Sequence, residues 1–310
     1  MHILAAPALA SAFVLSLGCF TSDLDPTQIG VFACNDDPGG ECPDGQSCIN
    51  GRCEGEDPPT VAVGFPEDEQ DIGLGDGAIG SMRTVSMTVT GTLEIVPTGG
   101  DHVFGEGHLE ISVDGTAPII VESGAGVVGV DVQVANTVGP HRISVKSIRN
   151  DGVPYDHEGS TSNRLFWISD GMTPLVGIKS PWPGEEFPLD ATEIEVTAAV
   201  TPVFALQAAN PLGNPEILTG HIHLYYAQSI EMCIADPVCD MNYLATIVAP
   251  DMPMGTSGTQ TVTLTSSGAG TFPVSVVLRN INHSLYLHDP DPGVEGDEFP
   301  QLDEVGILRR

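Results

Sequence analysis

Apolar and polar positions alternate with period two along much of this chain. In Gly107-His108-Leu109-Glu110-Ile111-Ser112-Val113, Leu109, Ile111 and Val113 point one way; His108, Glu110 and Ser112 point the other. A strand with one buried face gives that pattern. The alternating segments occur twice, in the same order. Pro59-Thr60-Val61-Ala62-Val63 opens one set and Pro174-Leu175-Val176-Gly177-Ile178 the other. The apolar stretches Thr84–Val96 and Ile194–Leu206 follow, and Gly107–Ile111 then matches Gly220-His221-Ile222-His223-Leu224. Later, Ile143-Ser144-Val145 and Arg149-Asn150 match Val274-Ser275-Val276 and Arg279-Asn280. Arg164–Ile168 and Glu304–Leu308 close the two sets.

Short alternating strands separated by Gly, Pro, Asn and Asp predict an all-β fold of two tandem Ig-like β-sandwiches. Residues 61–171 form the first and 172–310 the second. The second is longer through an insertion around residues 229–257. Aromatics at 5%, with 36 Gly and 25 Pro, suit many short strands and turns and argue against long helices.

Ahead of the sandwiches the pattern changes. Ile3 to Leu17 is nearly all apolar, too short to span a bilayer comfortably and of signal-peptide length. It ends in Leu15-Ser16-Leu17-Gly18-Cys19, which resembles a bacterial lipobox. The resemblance implies a signal peptide at 1–18, lipid on Cys19, and export to the outer membrane or cell surface, with the periplasm as alternative. Ser16 and an n-region without Lys or Arg depart from the pattern. Residues 19–33 read as a tether.

The seven cysteines sort by position. Cys34, Cys42, Cys48 and Cys53 crowd a module at 34–53 too short for an apolar core, so cross-links must replace one. It resembles short EGF-like or Dickkopf-type modules. Of three possible pairings, Cys34–Cys48 with Cys42–Cys53 is the expectation. Residues 54–60 form an acidic linker. Cys233 and Cys239 staple the later insertion, and Cys19 is left over, as a lipidated cysteine would be.

With 42 acidic and 10 basic residues, a net charge of −32 excludes nucleic acid as a partner. No G-x-S-x-G, H-E-x-x-H or phosphate-binding loop occurs, so the chain reads as no enzyme. Asp289–Glu298 alternates carboxylates, but it fails the calcium-loop spacing and reads as a solvated acidic turn.

One constellation carries chemistry. His221 and His223, two apart on a strand, share its outer face, and Asn282-His283-Ser284 follows a strand expected to lie beside it. Three imidazoles there would suit copper or zinc; left exposed, they would only bond nearby loop groups. Gly220-His221-Ile222-His223-Leu224-Tyr225 with the later Asn282-His283-Ser284 resembles an Ig-like family carrying G-H-x-H-[LV]-Y and N-x-D-H-S motifs in exported proteins. The resemblance implies no settled activity. The first copy has Glu110 in place of the second histidine and no histidine in its later motif. The leading expectation is a non-enzymatic binding, adhesion or structural lipoprotein that meets a protein or glycan partner. Transition-metal binding is the alternative.

Overall fold

The computed structural model describes residues 47–49, 52–54, 58–101, 103–215, 218–228, 230, 234, 242–249, 253–264, 268–288 and 299–310. The chain divides into two units, Met1–Gly55 and Glu56–Arg310. In the first unit, β1 (Ser47–Ile49) and β2 (Arg52–Glu54) form an antiparallel hairpin with Cys48 opposite Cys53. Cys53 is buried and disulfide-bonded. The leader, Cys19, Cys34, Cys42, Cys233, Cys239 and the acidic segment 289–298 lie outside the described residues.

The second unit is all-β and holds both sequence copies. The first copy supplies β3 (Val61–Phe65), β4 (Gln70–Asp71), β5 (Met82–Ile95), β6 (Glu106–Val113), β7 (Ile119–Val121), β8 (Gly124–Ala135), β9 (Gly139–Arg149) and β10 (Thr161–Ile168). The second supplies β11 (Val176–Ser180), β12 (Glu186–Phe187), β13 (Glu193–Val200), β14 (Ala205–Leu206), β15 (Thr219–Tyr226), β16 (Ala245–Ile247), β17 (Ser257–Thr263), β18 (Gly270–Asn280), β19 (Leu287–His288), β20 (Phe299–Pro300) and β21 (Leu302–Arg309).

In the second copy two sheets face each other. One runs β11-β13-β17, the other β12-β21-β18-β15-β14 with β16 beside β15. Val196, Ile222, Leu224, Val276, Leu278 and Ile307 fill the space between them and are fully buried. The first copy has the same pairings, but its layers join into one curled eight-stranded sheet. The seam is a short parallel pairing of Glu94–Ile95 with Glu106–Gly107. Two Ig/FN3-like sandwiches thus follow in tandem, the first closed at one corner.

The matched Gly-His pairs have a steric cause. A Cβ at Gly107 would lie 2.0 Å from the Ile148 carbonyl oxygen, and one at Gly220 only 1.8 Å from that of Arg279. Only glycine permits so close a backbone approach. Register corrects one sequence match, because Gly107 faces Arg149 while Gly220 faces Asn280. Arg149 is therefore equivalent to Asn280, and the two Arg-Asn pairs are offset by one residue.

The copies do not hang on a loose joint. Asp170 caps the junction turn, its carboxylate accepting from Met172 N at 2.8 Å and Thr173 N at 2.7 Å. Leu165, Trp167, Leu175 and Ala199 form an apolar cluster across it. Arg142 of β9 donates to Asp303 of β21, which also accepts from Ile178 N at 2.6 Å. Lys179 pairs with Asp68 and Glu69.

Candidate metal centre

β15 and β18 are antiparallel neighbours with Ile222 opposite Leu278. Those two face the core, so strand alternation sends His221, His223 and Tyr225 to the other face, beside Val277 and Arg279. Such an outer face is normally wet, which would leave the histidines exposed. Here they are buried, at 0% and 4%. The insertion is the reason: Ile230, Ile234 and Tyr243 pack on Tyr225 and Val277 as a small second core. Tyr243 also stacks on the His223 ring at a centroid distance of 3.8 Å.

His283 arrives from the turn after β18. That turn is repeated in the first copy: His283 N donates to Asn280 O at 3.0 Å, as Gly152 N does to Arg149 O at 2.9 Å. Both residues that donate the closing bond are left-handed, Gly152 at φ 84° and His283 at φ 70°. A histidine thus stands where the sister turn uses glycine, a position that disfavours a Cβ. Strain of this kind points to a role for the side chain.

The three rings converge. His221 Nε2 lies 3.1 Å from His223 Nε2 and 3.1 Å from His283 Nδ1, and the third side of the triangle is 3.4 Å. Three nitrogens at ~2.05 Å from a tetrahedral ion would stand ~3.3 Å apart. Protons alone cannot satisfy the triangle. Each contact needs one N–H and one bare nitrogen, and each ring nitrogen is one or the other. With three members, at least one contact joins like to like. A central cation removes that conflict.

The rings are ready to bind. Burial, helped by His283 and Arg279, pushes His221 down to about 4. Burial, then the charge of Arg279, pushes His223 down to about 2. Both are neutral ligands at pH 7 and lose little to proton competition. On their far sides, the two Nδ1 atoms are buried with no hydrogen-bond partner among the described residues. Among the described residues no outer contact there fixes the tautomer, so ligation itself would. Arg279, buried and directly opposite His221, works against a cation. Three imidazole nitrogens of this kind suit a transition-metal ion.

The first copy does not repeat the cluster. His108 is equivalent to His221, but Glu110 and Gly152 occupy the other two places. The three histidines named from the sequence lie together in the structure, their nitrogens 3.1 to 3.4 Å apart. Sequence reasoning missed Tyr243 and the apolar cover, whose only trace was the length of the insertion.

No family model and no curated protein matches the chain. Among solved structures it is similar to the fibronectin(III)-like modules of Clostridium thermocellum CbhA, at 10% identity and TM-score 0.23, over 81% of this chain and 94% of that one. It is similar to the D0-D1 domain of Intimin at 11% identity and TM-score 0.32, over 80% and 98%. It is similar to the FN1-FN3 domains of chicken CNTN1 at 11% and 0.20, over 84% and 68%. The fold description rests on the sheets themselves.

Proposed function

We propose that the second sandwich binds one transition-metal ion, copper or zinc, through His221 Nε2, His223 Nε2 and His283 Nδ1. The convergence of three imidazole nitrogens on one point, two of them on buried rings and the third on a half-buried one, carries this reading. The chain has no catalytic motif, and the role is binding. The test is metal content of the full chain after equilibration with copper or zinc and desalting. About one equivalent should be retained, and lost in His223→Ala. No retention, or retention indifferent to that substitution, rejects the site.

The setting we propose is an exported lipoprotein. The lipobox-like sequence and the odd cysteine support lipid on Cys19, with residues 34–53 as a disulfide-linked spacer and the sandwiches displayed at the outer membrane or cell surface. Fatty-acid labelling that disappears in Cys19→Ser is the expected result. Labelling unchanged by that substitution removes the anchor.

A further inference from the structure

We propose that the first sandwich carries a separate site for a neutral saccharide, on the face equivalent to the one that holds the histidines in the second. It does not depend on the metal reading. The face is built by three central strands. Ser112, Ser144 and Asn163 stand side by side across β6, β9 and β10, and Glu110, Lys146 and Thr161 form the next row. In the second sandwich the insertion covers this face with apolar side chains. In the first sandwich the floor is polar and half-buried, with Lys146 exposed.

One wall comes from the other sandwich, where Trp182 and Pro183 reach over the floor. Two adjoining cavities, of about 540 and 260 Å³, share Ser144, Lys146 and Trp182. The larger has the volume of a small-molecule site. Its width is fixed, because the Arg142–Asp303 pair and the Ile178 N bond to Asp303 lock the two sandwiches beside it. The Trp182 loop is held too, its N–H donating to Glu185 Oε2 at 2.7 Å.

Part of the polar lining is unsatisfied, although Ser112 Oγ donates to Thr116 O at 2.8 Å. Ser144 Oγ, Asn163 Oδ1 and Arg142 Nε are buried atoms with no hydrogen-bond partner among the described residues. Buried polar atoms are normally paired, and several unpaired ones along one groove call for a partner that enters it. The partner must both donate and accept, because Arg142 Nε donates, Asn163 Oδ1 accepts and Ser144 can do either. Hydroxyls do both. The half-buried Trp182 ring offers an apolar face for the C–H side of a pyranose.

Other occupants fit less well. A net charge of −32 repels polyanions, so nucleic acids and polyuronates are disfavoured. A peptide that adds as a strand needs a sheet edge, whereas β9 lies between β6 and β10 in mid-sheet.

The experiment is titration of the full chain with hexasaccharides of glucose, mannose, galactose and N-acetylglucosamine at millimolar concentration, by calorimetry and tryptophan emission. The chain has two tryptophans, and Trp167 is fully buried, so an emission change reports Trp182. At least one series should bind and shift the emission. Binding should weaken about tenfold or more in Trp182→Ala and in Ser144→Ala. Ser144→Ala removes an unpartnered atom, so it should keep full stability and serves as the control for folding. His223→Ala should bind saccharide normally. No binding by any of the four, or binding indifferent to both groove substitutions, overturns the proposal.

Discussion

At the scale of single residues, His283 carries the sharpest information. Its backbone sits in the left-handed region that the sister turn fills with Gly152. The strain of holding a Cβ there costs about 1 kcal/mol. His283→Gly should therefore abolish metal retention yet leave the metal-free protein as stable as the parent, or a few degrees higher in Tm. Thermal melts beside metal analysis check it; a large loss of stability would mean that the ring is structural. The pKa values give a second expectation. Unfolded histidine titrates near 6.5, whereas folded His221 and His223 do so at about 4 and about 2. Below pH 6.5 the unfolded chain takes up more protons than the folded one. Metal-free stability is thus full above pH 6.5 and falls as pH drops toward 4 and then 2. Urea unfolding at about pH 7.5 and about pH 5 should show the loss, and His223→Phe should reduce it.

At the scale of elements, the strands were legible because period-two alternation and a repeat both report a buried face. The paired glycines were legible as a motif, and their cause is the backbone approach beside Gly107 and Gly220. Two features were not legible. The Arg-Asn match shifted register by one, since identity along a strand does not fix the residue opposite. Burial of His221 and His223 was hidden because Ile230, Ile234 and Tyr243, distant from β18 in sequence, provide it. Equivalence of the two sheets makes a constructive test. His108 already occupies the His221 position, so Glu110→His with Gly152→His should create a second three-histidine set. Equilibrium dialysis should then find about two equivalents of metal, the added one weaker because water reaches it. A stoichiometry still near one would show that the insertion, beyond the three ligands, is required.

At the scale of the whole second unit, the sandwiches are joined by charge and packing at once. Asp303 is central: it accepts from Arg142 in the first sandwich and from the backbone of Ile178 in the second. The Arg142 and Asp303 side chains are 12% and 8% exposed, so neither is well solvated alone. Removing one partner of such a pair strands the other, at a cost of about 3 kcal/mol. The apolar cluster of Leu165, Trp167, Leu175 and Ala199 and the Lys179 pairs with Asp68 and Glu69 would remain as the weaker part of the joint. Asp303→Ala should therefore lower stability and split one calorimetric transition into two. The metal-loaded second sandwich should melt above the first, because an ion bound only to the folded state stabilises it. If the variant keeps a single transition, the junction is held by packing, and the rigidity that shapes the Trp182 groove does not depend on the ion pair.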